Sequence, residues 1–158
     1  MSMTQELKQA LAGLTLTSNA KTLQLFADGQ TLCIELAALD GLACSFTEVS
    51  LASPKLVGAP IASLKSTAEG LSKRLTYLLE PISPIETDAH GCTVQLRSMP
   101  PHKEDNVTSY YELLVSRDGR LSLVRFQRLA GSPRERIAAH VTREVLVRLA
   151  GDLSAAAA

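Results

Sequence analysis

Tryptophan is absent, and aromatic residues make up only 4% of the 158 residues. Leu, Val, Ile and Ala must therefore fill the interior, and stacking platforms for single-stranded nucleic acid are scarce. Net charge is missing as well, because sixteen basic residues balance sixteen acidic ones. Proteins that grip a nucleic-acid backbone usually carry a clear basic excess. Cysteine is sparse and odd in number, with three residues and no CxxC. That pattern points to reduced thiols in a cytoplasmic protein rather than to a disulfide framework. No apolar run approaches the ~20 residues that span a bilayer. The opening MSMTQELKQ lacks the apolar stretch of a secretion signal. The expectation is a soluble, cytoplasmic chain without a membrane segment.

Motifs of catalysis are missing too. There is no G-x-S-x-G elbow, no GxGxxG and no GxxxxGK[ST], so neither a nucleophile elbow nor a phosphate-cradling loop is expected. His90 and Cys92 stand two apart, as ligands on one strand face can, but no second pair stands at zinc-site spacing. Glu86 with Asp88, and Glu104 with Asp105, are paired carboxylates in polar turns. Useful acid–base work needs burial to separate such pKa values. No catalytic residue, metal or cofactor is expected, and the reading leans away from an enzyme. Cys33 and Cys44 read as small apolar packing groups.

What is present is pattern. With 46% hydrophobic and 20% charged residues, the composition is that of a folded chain, and its length suits a single domain over 1–158. Leu7, Leu11 and Leu14 form a short helical stripe, which Ser2 and Gln5 can open with a capping box. Asp28-Gly29 suits a type I′ turn and pairs Leu25 with Leu32 and Leu23 with Ile34. The apolar phase slips between Phe46 and Val49, which signals a β-bulge or an earlier strand end. Ile61, Leu64, Ala68, Leu71, Leu75 and Leu78 predict a helix from Pro60, ended by Pro81, in which Gly70 allows close packing. Short strands follow over Ile85–Ser98. Asp118-Gly119 then predicts a hairpin setting Tyr111 against Phe126, Leu113 against Val124 and Glu112 against Arg125. Val141, Val145 and Leu149 mark a last helix, with residues 154–158 as a frayed tail.

The class is therefore α+β, with antiparallel sheet of about six to seven strands in the order α-βββ-α-βββ(β)-α and helices mainly on one face. That order resembles the small secretion chaperones, which dimerise and bind partner polypeptides. The resemblance covers element order across most of the chain and carries no residue motif. The near-neutral charge departs from the acidic balance expected of that group. It implies a homodimer or a polypeptide partner.

Three functional readings follow. The first is a non-catalytic, chaperone- or adaptor-like module that binds another protein or itself. It would use a face bearing Tyr110, Leu114 and Arg125, since Tyr, Leu and Arg together suit an interface. The second is a small-molecule site or modest enzyme near Pro100–Asn106, built from His102, Glu104, Arg125 and Arg128. That stretch is longer than the chain's tight turns, and it is either a solvated connector or a functional loop. The third is weak nucleic-acid binding through residues 117–148, where eight arginines face three acids.

Overall fold

Ser2 and Gln5 do close a reciprocal cap. The Gln5 N–H donates to Ser2 Oγ at 3.3 Å and the Ser2 N–H donates to Gln5 Oε1 at 2.9 Å. They start helix α1, Met3–Gly13, which buries Met3, Leu7 and Leu11. The protein is seen as a computed structural model that describes residues 1–16 and 19–158. Among them are three α-helices and a ten-stranded sheet whose pairings are antiparallel.

Strands β1 (Lys21–Ala27) and β2 (Gln30–Leu39) form the expected hairpin, with Leu25 opposite Leu32 and Leu23 opposite Ile34. Asp28 and Gly29 have φ of 54° and 76°, the two positive angles that a type I′ turn requires. Strand β3 (Ala43–Ala52) carries the expected bulge. Glu48 opposes Glu35 and Phe46 opposes Leu36, so Thr47 is extra.

Helix α2 spans Ile61–Arg74 and ends sooner than its leucine spacing predicts. Leu75 and Leu78 are buried all the same, in non-helical chain that leads Tyr77 to Asp152. Burial governed those leucines, and helical hydrogen bonding did not have to follow. Gly70 gives no close packing either, for a Cβ added there would meet nothing within 4 Å.

Strands β4 (Ile82–Asp88), β5 (Thr93–Ser98), β6 (His102–Glu104), β7 (Val107–Ser116), β8 (Arg120–Leu129), β9 (Glu135–Ile137) and β10 (Ala139–Thr142) complete the sheet. The main order is β1-β2-β3-β8-β7-β5-β4. Beyond the bulge β3 parts from β8, and the split is filled. β9 pairs with β8 at residues 125–127, and β10 pairs with β3 at residues 43–46. These short strands raise the count above the expected six to seven. Each has few residues, so neither shows a period of its own.

Helix α3 runs Arg143–Ala156, capped by Thr142, whose Oγ1 accepts the Val145 N–H at 3.0 Å. Val141, expected in this helix, lies in β10 opposite Cys44. The alanine tail does not fray. Ala157 is 1% exposed, and its carbonyl accepts a 2.6 Å bond from Ser53 Oγ. One continuous buried cluster joins the three helices to one side of the sheet, through Leu32, Ile34, Leu51, Leu96, Leu113 and Leu121 among others. Among the described residues the opposite side carries no helix.

Candidate functional site: the open face of the sheet

The β7–β8 register decides which side chains reach the uncovered face. Leu113 opposes Leu123, Tyr111 opposes Arg125 and Tyr110 opposes Phe126. This is one residue from the register that a two-residue Asp118-Gly119 turn predicts. Only Gly119 of that pair has positive φ, at 106°, so the loop takes three residues, Arg117 to Gly119, between Ser116 and Arg120. Tyr111, Leu113 and Arg125 consequently share the helix-covered side, while Tyr110, Glu112, Leu114, Val124 and Phe126 share the open one.

Arg125 is thereby separated from Tyr110 and Leu114. It donates to both carboxylate oxygens of Glu80, at 3.2 and 2.9 Å, and its guanidinium stands 4.5 Å from the Tyr111 ring centre. Burial holds the Tyr111 phenol above its ordinary pKa, and the nearby Arg125 charge offsets part of that rise. Glu112, expected opposite Arg125, takes a different set of partners.

Glu112 is only 5% exposed, although its face carries no helix. Its Oε1 accepts from Gln95 Nε2, from Arg97 Nη2 at 3.1 Å and from Arg134 Nη1 at 3.0 Å. Arg134 also donates to the Tyr110 hydroxyl at 3.4 Å and lies 3.8 Å from the Phe126 ring centre. Arg97 lies over Tyr110 at 4.7 Å, and the Tyr110 and Phe126 rings are 5.8 Å apart. Two guanidinium planes and two rings thus roof one carboxylate, with 39%-exposed Leu114 beside them on the same strand. A buried carboxylate is tolerable because charge-assisted hydrogen bonds replace its water. A second acid, Glu48, sits between Arg120 and Arg136, the latter at 3.1 Å.

The Pro100–Asn106 stretch is exposed apart from half-buried Pro101, as a wet connector is, but it is not a free loop. β5 and β6 run along the same edge of β7 as one interrupted strand. Arg97 opposes Glu112 and His102 opposes Ser109, so residues 98–101 face only two residues of β7. Pro100 and Pro101 have no N–H for a ladder. Fully buried Ser98 makes good part of the loss, its Oγ accepting the Tyr111 N–H at 2.8 Å. The Met99 N–H turns the other way, to the Pro81 carbonyl at 2.7 Å. The chain therefore swings out at Met99–Pro101 and leaves a cavity of about 340 Å³, lined by Arg97, Ser98, Pro101, Lys103, Thr108, Tyr110 and Arg128 among others.

His102 and Glu104 do not enter this cavity. They form an exposed pair with Nε2 and Oε2 3.7 Å apart, on the other side of β6 from Lys103. Of the residues singled out from sequence, Tyr110 and Arg128 are brought together at the cavity, and Leu114 lies further along β7. The missed members are Gln95, Arg97, Lys103, Glu112 and Arg134. Glu112 sat in plain view as an acid inside an apolar strand. Its arginine partners come from β5 and from the segment after Gly131, which no local register reveals.

His90 is exposed in a turn, and the Cys92 Sγ donates to the Ala89 carbonyl at 3.3 Å. Among the described residues no three His, Cys, Asp or Glu side chains gather as a metal site would need. The three cysteines are free, and burial pushes the Cys44 thiol up to about 11. No helix among the described residues is long and apolar enough to cross a membrane. No family model, curated protein or solved structure matches the chain.

Proposed function

We propose that this chain is a non-catalytic interaction module that binds a polypeptide, another protein or a second copy, on the open face of its sheet. One observation carries this reading. The face opposite the helices bears an ordered group of Tyr110, Phe126, Arg97 and Arg134 around Glu112, with Leu114 exposed beside it. Aromatic and Arg side chains are enriched at interfaces, and groups already held in one geometry lose little entropy on binding. Secretion-chaperone-like element order points in the same direction, as an analogy of topology only.

The nucleic-acid reading loses ground to the same geometry. Of the eight arginines between residues 117 and 148, seven have partners inside the protein. Arg120 and Arg136 hold Glu48, Arg125 holds Glu80, and Arg134 holds Glu112. Arg128 and Arg143 donate to backbone carbonyls, and Arg148 covers Tyr77. The four arginines spent on carboxylates are poorly placed to track a phosphate backbone.

A comparison of the tagged wild type with Leu114→Arg tests the module. The wild type should retain a stoichiometric polypeptide from lysate of its own source, or sediment as a dimer. Leu114→Arg should lose that association at unchanged thermal stability. A monomer that retains no protein would end this reading.

A further inference from the structure

We propose that the gap at the Met99–Pro101 break is a binding site for a small phosphate monoester, held by Lys103, Arg128 and Arg97 and oriented by the Thr108 and Tyr110 hydroxyls. The cations are convergent by register. Lys103 opposes Thr108 on β7, and Thr108 in turn opposes Arg128 on β8. The three form one row across three strands on the open side, with neighbours roughly 5 Å apart at Cβ. Arg97 enters from the other side of the gap. The cavity lining holds these three cations and no acid.

Charge and donors match a dianion. Glu112 is the carboxylate partner of Arg97 and Arg134, which leaves Lys103 and Arg128 as the two lining cations without one. Lys103 has no acidic partner among the described residues. Arg128 spends only its Nε, on the Ser132 carbonyl at 3.3 Å, so the terminal fork of the guanidinium remains for an oxyanion. The Tyr110 hydroxyl accepts from Arg134, which leaves its own hydrogen to donate. Arg97 gives its Nη2 to Glu112 and also lines the cavity. A volume of about 340 Å³ exceeds what a bare oxyanion fills and leaves room for a small organic group. The site stands whether or not the open face also docks a polypeptide.

The test is a titration of the 158-residue chain, followed by backbone amide NMR, with inorganic phosphate and with glycerol 3-phosphate, using chloride as the control. Saturable shifts confined to the surroundings of residues 97–98, 103, 108–110 and 128 are expected, with glycerol 3-phosphate the tighter ligand. Lys103→Gln and Arg128→Gln, both exposed and dispensable for packing, should each weaken binding about tenfold. Arg120→Gln, at the distant Glu48 pair, should leave it unchanged. Shifts that fail to saturate, that chloride reproduces, or that survive both substitutions overturn the proposal. Two further probes decide against other occupants. A phosphoserine peptide that binds more tightly, with shifts running on to Leu114 and Phe126, would assign the cavity to a protein partner and overturn the small-molecule assignment. An RNA oligomer that moves Arg120 and Arg136 together with the cavity would overturn it in favour of a basic tract.

Discussion

Glu112 shows how one side chain organises a face. Its carboxylate ties β5, β7 and the segment carrying Arg134 together through three donors. Glu112→Ala leaves two guanidiniums facing each other without their shared anion. Breaking a fully buried pair costs about 3–5 kcal/mol, and partial exposure of both arginines lowers this to about 2 kcal/mol. Urea unfolding should show that loss for Glu112→Ala, and less than about 1 kcal/mol for Arg120→Ala at the more exposed Glu48. Equal losses would mean that the Glu112 group is ordinary surface pairing. Two tyrosines supply a pH signature. Burial raises the Tyr77 phenol first, and its 2.6 Å hydrogen bond to Asp152 adds to the rise. Burial likewise raises Tyr111. A raised folded pKa favours the neutral phenol, so this stability is fully present below the unfolded value of about 10 and is lost as pH climbs above it. Thermal midpoints should fall on that alkaline limb, and Tyr77→Phe should flatten the fall. With no tryptophan in the chain, ultraviolet titration of the tyrosinates can follow the same groups directly.

Elements differ in how much of their geometry the local sequence encodes. The dipeptide Asp-Gly occurs three times, and it makes a two-residue turn at 28–29 yet only part of a three-residue loop at 118–119. The first hairpin was legible because Leu23, Leu25, Leu32 and Ile34 leave one dry side in a single register. The second was misread by one residue because its strands are apolar on both sides, and a Glu112–Arg125 pair looked plausible where Glu112 in fact takes Arg97 and Arg134. Gly119 also docks into the structure. Its N–H bonds to Ser116, its carbonyl accepts from the Ser53 N–H, and a Cβ there would stand 2.7 Å from Val57 Cγ2. Gly119→Ala therefore combines positive-φ strain with a clash and should cost more than about 1 kcal/mol. Gly70 is the opposite case, a helical glycine whose added Cβ meets open space. Gly70→Ala should stabilise by about 0.5–1 kcal/mol, measured as a higher urea midpoint at unchanged slope. A shift of opposite sign would restore the packing role that its position in the leucine stripe suggests. Helix α2 and the strand break at Pro100 teach a related lesson. Leucine spacing reports burial, and proline reports a missing donor, but neither says where the chain goes next.

At the scale of the whole molecule, the last quarter of the chain joins what the topology leaves weakly connected. Strands β1–β3 and β4–β8 share a single direct ladder of five pairs between β3 and β8. β9 and β10 fill the split beside it, and α3 packs on both α1 and α2. The alternating apolar residues made the α+β class readable. This clamp was not readable, because it rests on two short strands and on alanines that carry no pattern. The alanine end is held by specific contacts. Gln30 Nε2 donates to the Ser154 carbonyl at 3.0 Å, and Ser53 Oγ donates to that of Ala157, itself a buried residue. Removing residues 155–158 exposes part of the cluster and leaves the Ser53 hydroxyl without its acceptor. The expected cost is about 1–2 kcal/mol, a fall of about 3–6 °C in the thermal midpoint. Because α3 touches both helix partners, the shortened chain should still unfold in one transition, with amides of β1–β3 and β4–β8 losing protection together. An unchanged midpoint would restore the frayed tail that composition suggests. Two separated transitions would show that the clamp depends on these last four residues, and that β9 and β10 alone cannot hold the halves as one cooperative unit.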